Sequence, residues 1–202
     1  MSKERLIIFT RYPEAGKAKT RLIPLLGADG AAGLHRQMTE YTISQVREVQ
    51  KNRFVSVEVY FTGSAYASFQ NWLGSDLVYQ PQGEGDLGLR MSQAMKSAFA
   101  NGMDSAIIIG TDCPSLNALL IAQAFEYLDQ HDLILGPATD GGYYLIGLRR
   151  LIPELFIGIN WGTSLVFQQT VEIANSLKLT VAYLTPLSDI DRPEDLAKLG
   201  NG

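Results

Sequence analysis

Short β-branched and leucine-rich runs alternate along this chain with longer segments whose apolar residues recur every three or four positions. Residues 6–10 read as a buried strand. Residues 30–50 read as a helix, with Leu34, Met38, Tyr41, Thr42 and the stretch from Gln45 to Val49 forming a partly apolar stripe. Residues 54–62 alternate as a strand that puts Val55, Val57, Val59 and Phe61 on one face. The pattern continues with a helix at 64–72, a strand at 77–80, a helix at 87–100 and a strand at 106–110. A helix from Leu116, strands at 133–135 and 143–148, and a helix at 163–177 opened by a Thr-Ser start signal follow. A strand at 180–184 and a helical segment at 194–199 close the sequence. Strands alternating with helices predict a mainly parallel sheet covered on both faces, a three-layer α/β/α sandwich of Rossmann-like type. No linker, repeat or low-complexity segment interrupts the pattern, so residues 1–202 read as one domain.

In open α/β sheets ligands bind beyond the carboxyl ends of the strands. Four loops follow strands expected to run parallel: the loop after the first strand, Thr111-Asp112-Cys113-Pro114, Asp140-Gly141-Gly142, and Asp189-Ile190-Asp191. The first holds Arg11, Gly16, Lys17, Lys19, Thr20 and Arg21. Gathering four cations around a glycine fits a cradle for a small polyanion, foremost a nucleotide phosphate chain. It is no Walker A motif, because Gly16-Lys17 lacks a glycine five positions earlier. A solvated surface turn is the plain alternative.

Composition sharpens this. The chain carries a net charge of −4, which argues against general nucleic-acid binding and leaves a small anionic ligand for the basic loop. Cys113 is the single cysteine, so no internal disulfide or cysteine-based zinc site is expected. No apolar run approaches membrane-spanning length, and Met1 to Arg5 lead into a strand too short for a signal-peptide core. Both readings suggest a cytoplasmic protein.

Asp112 at a strand end suits Mg²⁺ or Mn²⁺, although it could equally cap the next helix in competition with Ser115. Asp191-Arg192-Pro193-Glu194 has capping-box spacing, and Asp191 could cap a helix while facing a metal, with Asp189 in reserve. Gly83-Glu84-Gly85-Asp86-Leu87-Gly88 matches a dinucleotide fingerprint. Its short preceding strand and the missing acidic residue after the next strand favour instead a loop against a base or ribose, with Asp86 and Arg90 as polar contacts, and a flexible turn that starts a helix is the plain alternative. Asp140-Gly141-Gly142-Tyr143-Tyr144 could hold a second substrate or form a tight turn. Trp161 could roof the crevice or lie in the core. Cys113 reads as a packed side chain, and His35 and His131 as ordinary helix-surface residues.

Together these motifs resemble the nucleotide-diphospho-sugar transferase superfamily, the glycosyltransferase-A fold. Within it they resemble a bacterial glycosyltransferase-like family of formerly unknown function associated with arsenosugar biosynthesis. The residues that carry the resemblance run from Phe9-Thr10-Arg11-Tyr12-Pro13 through Lys19-Thr20-Arg21-Leu22, Gln82 to Gly88, Gly110 to Pro114 and Asp140 to Leu145, to Asp189 to Leu196. The chain is similar, more distantly, to 2-phospholactate and molybdenum-cofactor guanylyltransferases and CMP-Kdo synthetase. The resemblance implies a Mg²⁺-dependent transferase. Gly16, Lys17, Lys19 and Arg21 would hold phosphate, Asp112 would bind the metal, and Asp191 would complete the metal site. Thr111-Asp112-Cys113 stands where such glycosyltransferases usually carry Asp-x-Asp. The first loop also has fewer glycines than many nucleotidyltransferases have there. Glycosyl transfer from a nucleotide-sugar to a small-molecule acceptor is the leading expectation. Nucleotidyl transfer with pyrophosphate release, a non-catalytic nucleotide-binding module and an NAD-linked dehydrogenase are the alternatives.

Overall fold

The computed structural model describes residues 3–200, with side chains through Ala197; Met1 and Ser2 of the leading segment lie outside the described residues. Seven strands form one sheet: β1 (Glu4–Arg11), β2 (Val55–Thr62), β3 (Val78–Pro81), β4 (Ser105–Ile109), β5 (Leu133–Pro137), β6 (Tyr143–Leu148) and β7 (Val181–Tyr183). Their order is β3-β2-β1-β4-β6-β5-β7. Only β6 runs antiparallel to its neighbours. It returns directly from β5, so a short turn suffices where a parallel neighbour would need a helical crossover.

The helices are α1 (Ile23–Asn52), α2 (Tyr66–Leu73), α3 (Leu87–Ala100), α4 (Ala118–Leu128) and α5 (Val166–Ser176). The period-2 pattern of β1 divides the core. Leu6 and Ile8 face α1, α2 and α4 together with Val57, Val59, Ile107 and Ile109. Ile7 and Phe9 face α3 and α5 together with Ile108, Leu135 and Ile146. Val55, Val57, Val59 and Phe61 share one cluster, as their alternation requires, while Tyr60 points to the other. The three-layer α/β/α architecture read from the sequence is therefore present. Among the described residues no helix is long and apolar enough to cross a membrane.

Helix starts moved. The first helix begins at Ile23, earlier than hydropathy suggested, and Gly27 (φ 71) breaks it near its start. The fourth begins at Ala118 rather than Leu116, because Asn117 caps it by accepting from Leu120 N at 3.0 Å. The fifth begins at Val166, since the Thr163 hydroxyl donates to Asn160 O and holds 163–165 in a turn. The buried stripe of α1 comprises Ala31, Ala32, His35, Met38, Thr39, Thr42, Ile43, Val46 and Val49, and it leaves Tyr41 exposed.

Candidate functional site

Because β1, β4, β5 and β7 point the same way, the four chemistry-bearing loops open on one sheet edge and line a continuous cleft. A basic concavity of about 330 Å³ is walled by Arg11, Lys17, Lys19, Thr20, Arg21, His35, Asp112 and Asp191. A larger one of about 500 Å³ adds Gln82, Leu87, Tyr143, Tyr144 and Trp161. A third of about 450 Å³ is bounded by Thr139, Asp140, Ser164, Asp189 and Asp195. Arg21 and Asp191 border all three.

The centre is Lys19. It adopts a left-handed backbone (φ 48), a costly conformation for a lysine, and its side chain is only 4% exposed. Its ammonium lies 2.8 Å from Asp112 Oδ1, donates to Ile190 O at 2.5 Å, and stands 3.8 Å from Asp191 Oδ1. Ile190 N donates in turn to Asp112 O at 2.9 Å, so three loops are tied at one point. Arg21 pairs with Asp191. Arg11 Nη1 donates to Lys17 O at 3.1 Å and closes the first loop on itself, with Gly16 at φ 80 providing the bend. Lys17 pairs with Glu14 in solvent, which contributes little to stability.

Asp191 does not act as the helix cap that its spacing suggested. Asp195 accepts from the backbone N–H groups of Asp191 and Arg192, which frees the Asp191 carboxylate to meet Arg21 and Lys19. Asp112 likewise caps no helix, because Asn117 does. Asp189 is partly buried, and burial pushes its carboxyl above the ordinary range, helped by Asp140, Asp195 and Asp191. The structure thus gathers Asp112, Asp189 and Asp191 along one cleft. Among the described residues no group of three or more His, Cys, Asp or Glu forms a metal-holding set.

The glycine loop builds the start of α3. Asp86 caps α3 by accepting from Leu89 N at 2.8 Å, and a Cβ on Gly85 would meet Leu89 at 2.6 Å. Gly83, Gly85, Asp86 and Arg90 shape the start of α3 and line none of the three concavities, whereas their neighbours Gln82 and Leu87 do line the cleft. Gln82 donates to Thr10 O and Tyr60 O, joining the ends of β1 and β2. At Asp140 the tight turn is present. Its carboxylate accepts from Gly142 N at 2.8 Å in a tight turn, yet Asp140 and Gly142 also border the cleft. Gly141 (φ 92) serves packing, since a Cβ there would lie 2.2 Å from Ser164 O. Trp161 lines the cleft and packs on Gly88, where a Cβ would fall 2.5 Å from the indole nitrogen. Cys113 is buried, and burial drives its thiol far above the ordinary range, which removes it as a nucleophile.

His35 corrects the surface reading. It is 6% exposed and lines both the basic and the large concavity. Nε2 is 2.9 Å from Arg11 O and Nδ1 is 3.9 Å from Asp112 Oδ1. The signal was available, because His35 falls three residues before Met38 and four after Ala31 on the inward stripe of α1.

Comparison with known proteins agrees with this geometry. A proposed nucleotide-diphospho-sugar transferase from Desulfovibrio desulfuricans G20 superposes with a TM-score of 0.92 at 35% identity, over 98% of this chain and 87% of that one. A CMP:2-keto-3-deoxy-manno-octonic acid synthetase complexed with CTP gives 0.59 at 12% identity, over 98% and 97% of the two chains. Glucosyl-3-phosphoglycerate synthase from Mycobacterium tuberculosis, in complex with Mn²⁺, UDP and glucosyl-3-phosphoglycerate, gives 0.58 at 13%, over 98% and 75%. The latter two establish likeness of fold. No curated protein matches in sequence. The family described as "Uncharacterized protein conserved in bacteria (DUF2064)" matches residues 45–163. With more than half of its length matched there and a 35% identical relative along nearly all of it, the chain belongs to the DUF2064 family and has the fold of nucleotide-diphospho-sugar transferases.

Proposed function

We propose that the protein is a nucleotide-utilising transferase that moves a glycosyl group from a nucleotide-sugar to a small-molecule acceptor. The observation that carries this reading is the charge of the basic concavity. Arg11, Lys17, Lys19 and Arg21 face Asp112 and Asp191, and Lys17 also pairs with Glu14, so the cations outnumber the carboxylates by one. A sugar-linked diphosphate brings two negative charges. As the bond from the sugar to that diphosphate breaks, charge grows on the leaving phosphate oxygens, where preorganised cations lower the barrier. No side-chain nucleophile is required. The nucleoside occupies the larger concavity beside Gln82, Leu87 and Trp161, and the acceptor approaches from the Asp140 and Asp189 side.

A divalent cation suits the donor set. Lys19 already places one positive charge between Asp112 and Asp191, and Asp189 is crowded by neighbouring carboxylates. Asp112 and Asp191 would hold Mg²⁺ or Mn²⁺, with Asp189 in reserve, in keeping with the habit of these ions of taking one or two protein carboxylates plus phosphate oxygens. Bound there, the ion would neutralise donor phosphate charge.

The same count favours a second reading. A nucleoside triphosphate brings more negative charge than the loop alone balances, and a divalent cation would supply the difference for nucleotidyl transfer. Product analysis separates the two: nucleoside diphosphate release denotes glycosyl transfer, and pyrophosphate release denotes nucleotidyl transfer. Tight nucleotide binding without either product, across a broad acceptor panel, would favour a binding module and sink both.

A further inference from the structure

The His35 Nε2 atom lies 2.9 Å from the Arg11 carbonyl oxygen. A carbonyl only accepts, so Nε2 carries the ring hydrogen, and in the neutral ring Nδ1 keeps a bare lone pair. That bare Nδ1 stands 3.9 Å from Asp112 Oδ1. Two acceptors facing each other at this distance are favourable neighbours when a cation sits against both.

We propose that His35 Nδ1 and the Asp112 carboxylate are joint ligands of a divalent transition-metal ion beside the donor phosphates, so that the protein prefers Mn²⁺ or Co²⁺ to Mg²⁺. The inference rests on the nucleotide-transferase reading and adds the identity of a ligand and of the ion class.

Three features support it. Two donors each about 2.0–2.2 Å from one ion can be up to about 4.4 Å apart when they lie on opposite sides of it, and the observed 3.9 Å falls within that span at a wide angle. A metal-bound imidazole almost always donates its other N–H to a carboxylate or backbone carbonyl, which fixes the tautomer; the Arg11 carbonyl supplies that partner. His35 and Asp112 both border the basic and the large concavity, so an ion there is reachable by phosphate oxygens and water, which complete its coordination. A nitrogen donor shifts preference away from Mg²⁺, which favours all-oxygen sites, toward first-row transition ions. Lys19, now 2.8 Å from the same carboxylate oxygen, supplies the positive charge that the ion takes over. With an ion on that carboxylate, the ammonium would keep Ile190 O and Asp191 as its partners.

Pulsed electron paramagnetic resonance of the full chain with Mn²⁺ alone tests this. Only His35 and His131 can contribute an imidazole nitrogen. The expected result is a ¹⁴N coupling of directly bound imidazole in the wild type, kept in His131→Gln and lost in His35→Gln. The His35→Gln amide can still donate to the Arg11 carbonyl, and an unchanged circular dichroism spectrum verifies its fold. Mn²⁺ affinity should fall at least about tenfold in His35→Gln, with a smaller change for Mg²⁺. Bound Mn²⁺ without nitrogen coupling, or coupling that persists in His35→Gln, overturns the proposal and leaves the transferase reading standing. Absence of Mn²⁺ binding also overturns it. Nucleotide binding, measured separately, then decides the fate of the wider reading.

Discussion

The nearly buried ammonium of Lys19 lies 2.8 Å from the half-exposed carboxylate of Asp112, and this pair joins the loop after β1 to the loop after β4. The left-handed backbone at Lys19 delivers the side chain to that point. Strained conformations persist where the surroundings over-determine them, and here the surroundings are Asp112, Ile190 and Asp191.

Lys19→Met should therefore weaken nucleotide binding by about 10- to 100-fold, the loss of a charge-assisted hydrogen bond. Isothermal titration calorimetry checks this. Lys17→Met, which removes a solvent-exposed cation paired with Glu14, should cost less.

Gly141→Ala should destabilise the fold by about 2 kcal/mol or more, because it combines a φ of 92 with a Cβ 2.2 Å from the Ser164 backbone oxygen. Urea denaturation measures it. An Ala tolerated without loss would remove the packing role assigned to this glycine.

Gly88→Ala should push the Trp161 ring out of place, since the new Cβ would fall 2.5 Å from its indole nitrogen and 2.6 Å from Phe156 O. Overpacking of this kind costs about 1–3 kcal/mol. In a Trp72→Phe background, Trp161 is the only remaining indole, and its emission should shift. Nucleotide affinity should fall with it.

Asp132 gives a pH dependence with a definite sign. Its carboxylate accepts from the Thr180 backbone N–H at 3.0 Å and from the Thr180 hydroxyl at 2.9 Å, joining the starts of β5 and β7. The backbone hydrogen bond, above all, lowers its pKa from the ordinary 3.8. The folded chain therefore binds this proton less readily than the unfolded chain. The stabilisation is complete above the unfolded value and is lost as pH falls below about 3.8 through the folded value. Asp132→Asn should flatten the acid limb of a stability-against-pH curve and leave the neutral region parallel to the wild type.

The layered sheet was legible because runs such as 106–110 and 6–10 are buried on both sides and leave few alternatives to a central parallel strand. The basic loop and Asp112 stood out as candidates because cations and a strand-end carboxylate carry their chemistry in residue type. Asp191 was harder to read. Only the folded chain shows that the Asp195 carboxylate takes the backbone N–H groups of Asp191 and Arg192, just ahead of the last helical segment, while that of Asp191 turns to Arg21 and Lys19. The glycine loop is ambiguous in sequence because glycines that bend a chain for its own packing, as Gly85 does against Leu89, look the same there as glycines that admit a ligand. His35 was missed because a buried polar residue interrupts a hydrophobic stripe. Its place on the inward stripe of α1, between Ala31 and Met38, carried the signal, and Arg11 O is the partner that satisfies it there.

The most direct test of the account is thermal stabilisation by a panel of nucleotide-sugars and nucleoside triphosphates, with and without Mg²⁺ or Mn²⁺, on wild type, Arg21→Ala and Lys19→Met. The account predicts that one class of nucleotide raises the melting temperature of the wild type and that both variants lose most of the shift. No shift with any nucleotide, or a shift of equal size in both variants, would contradict the assignment of the basic concavity to donor phosphates.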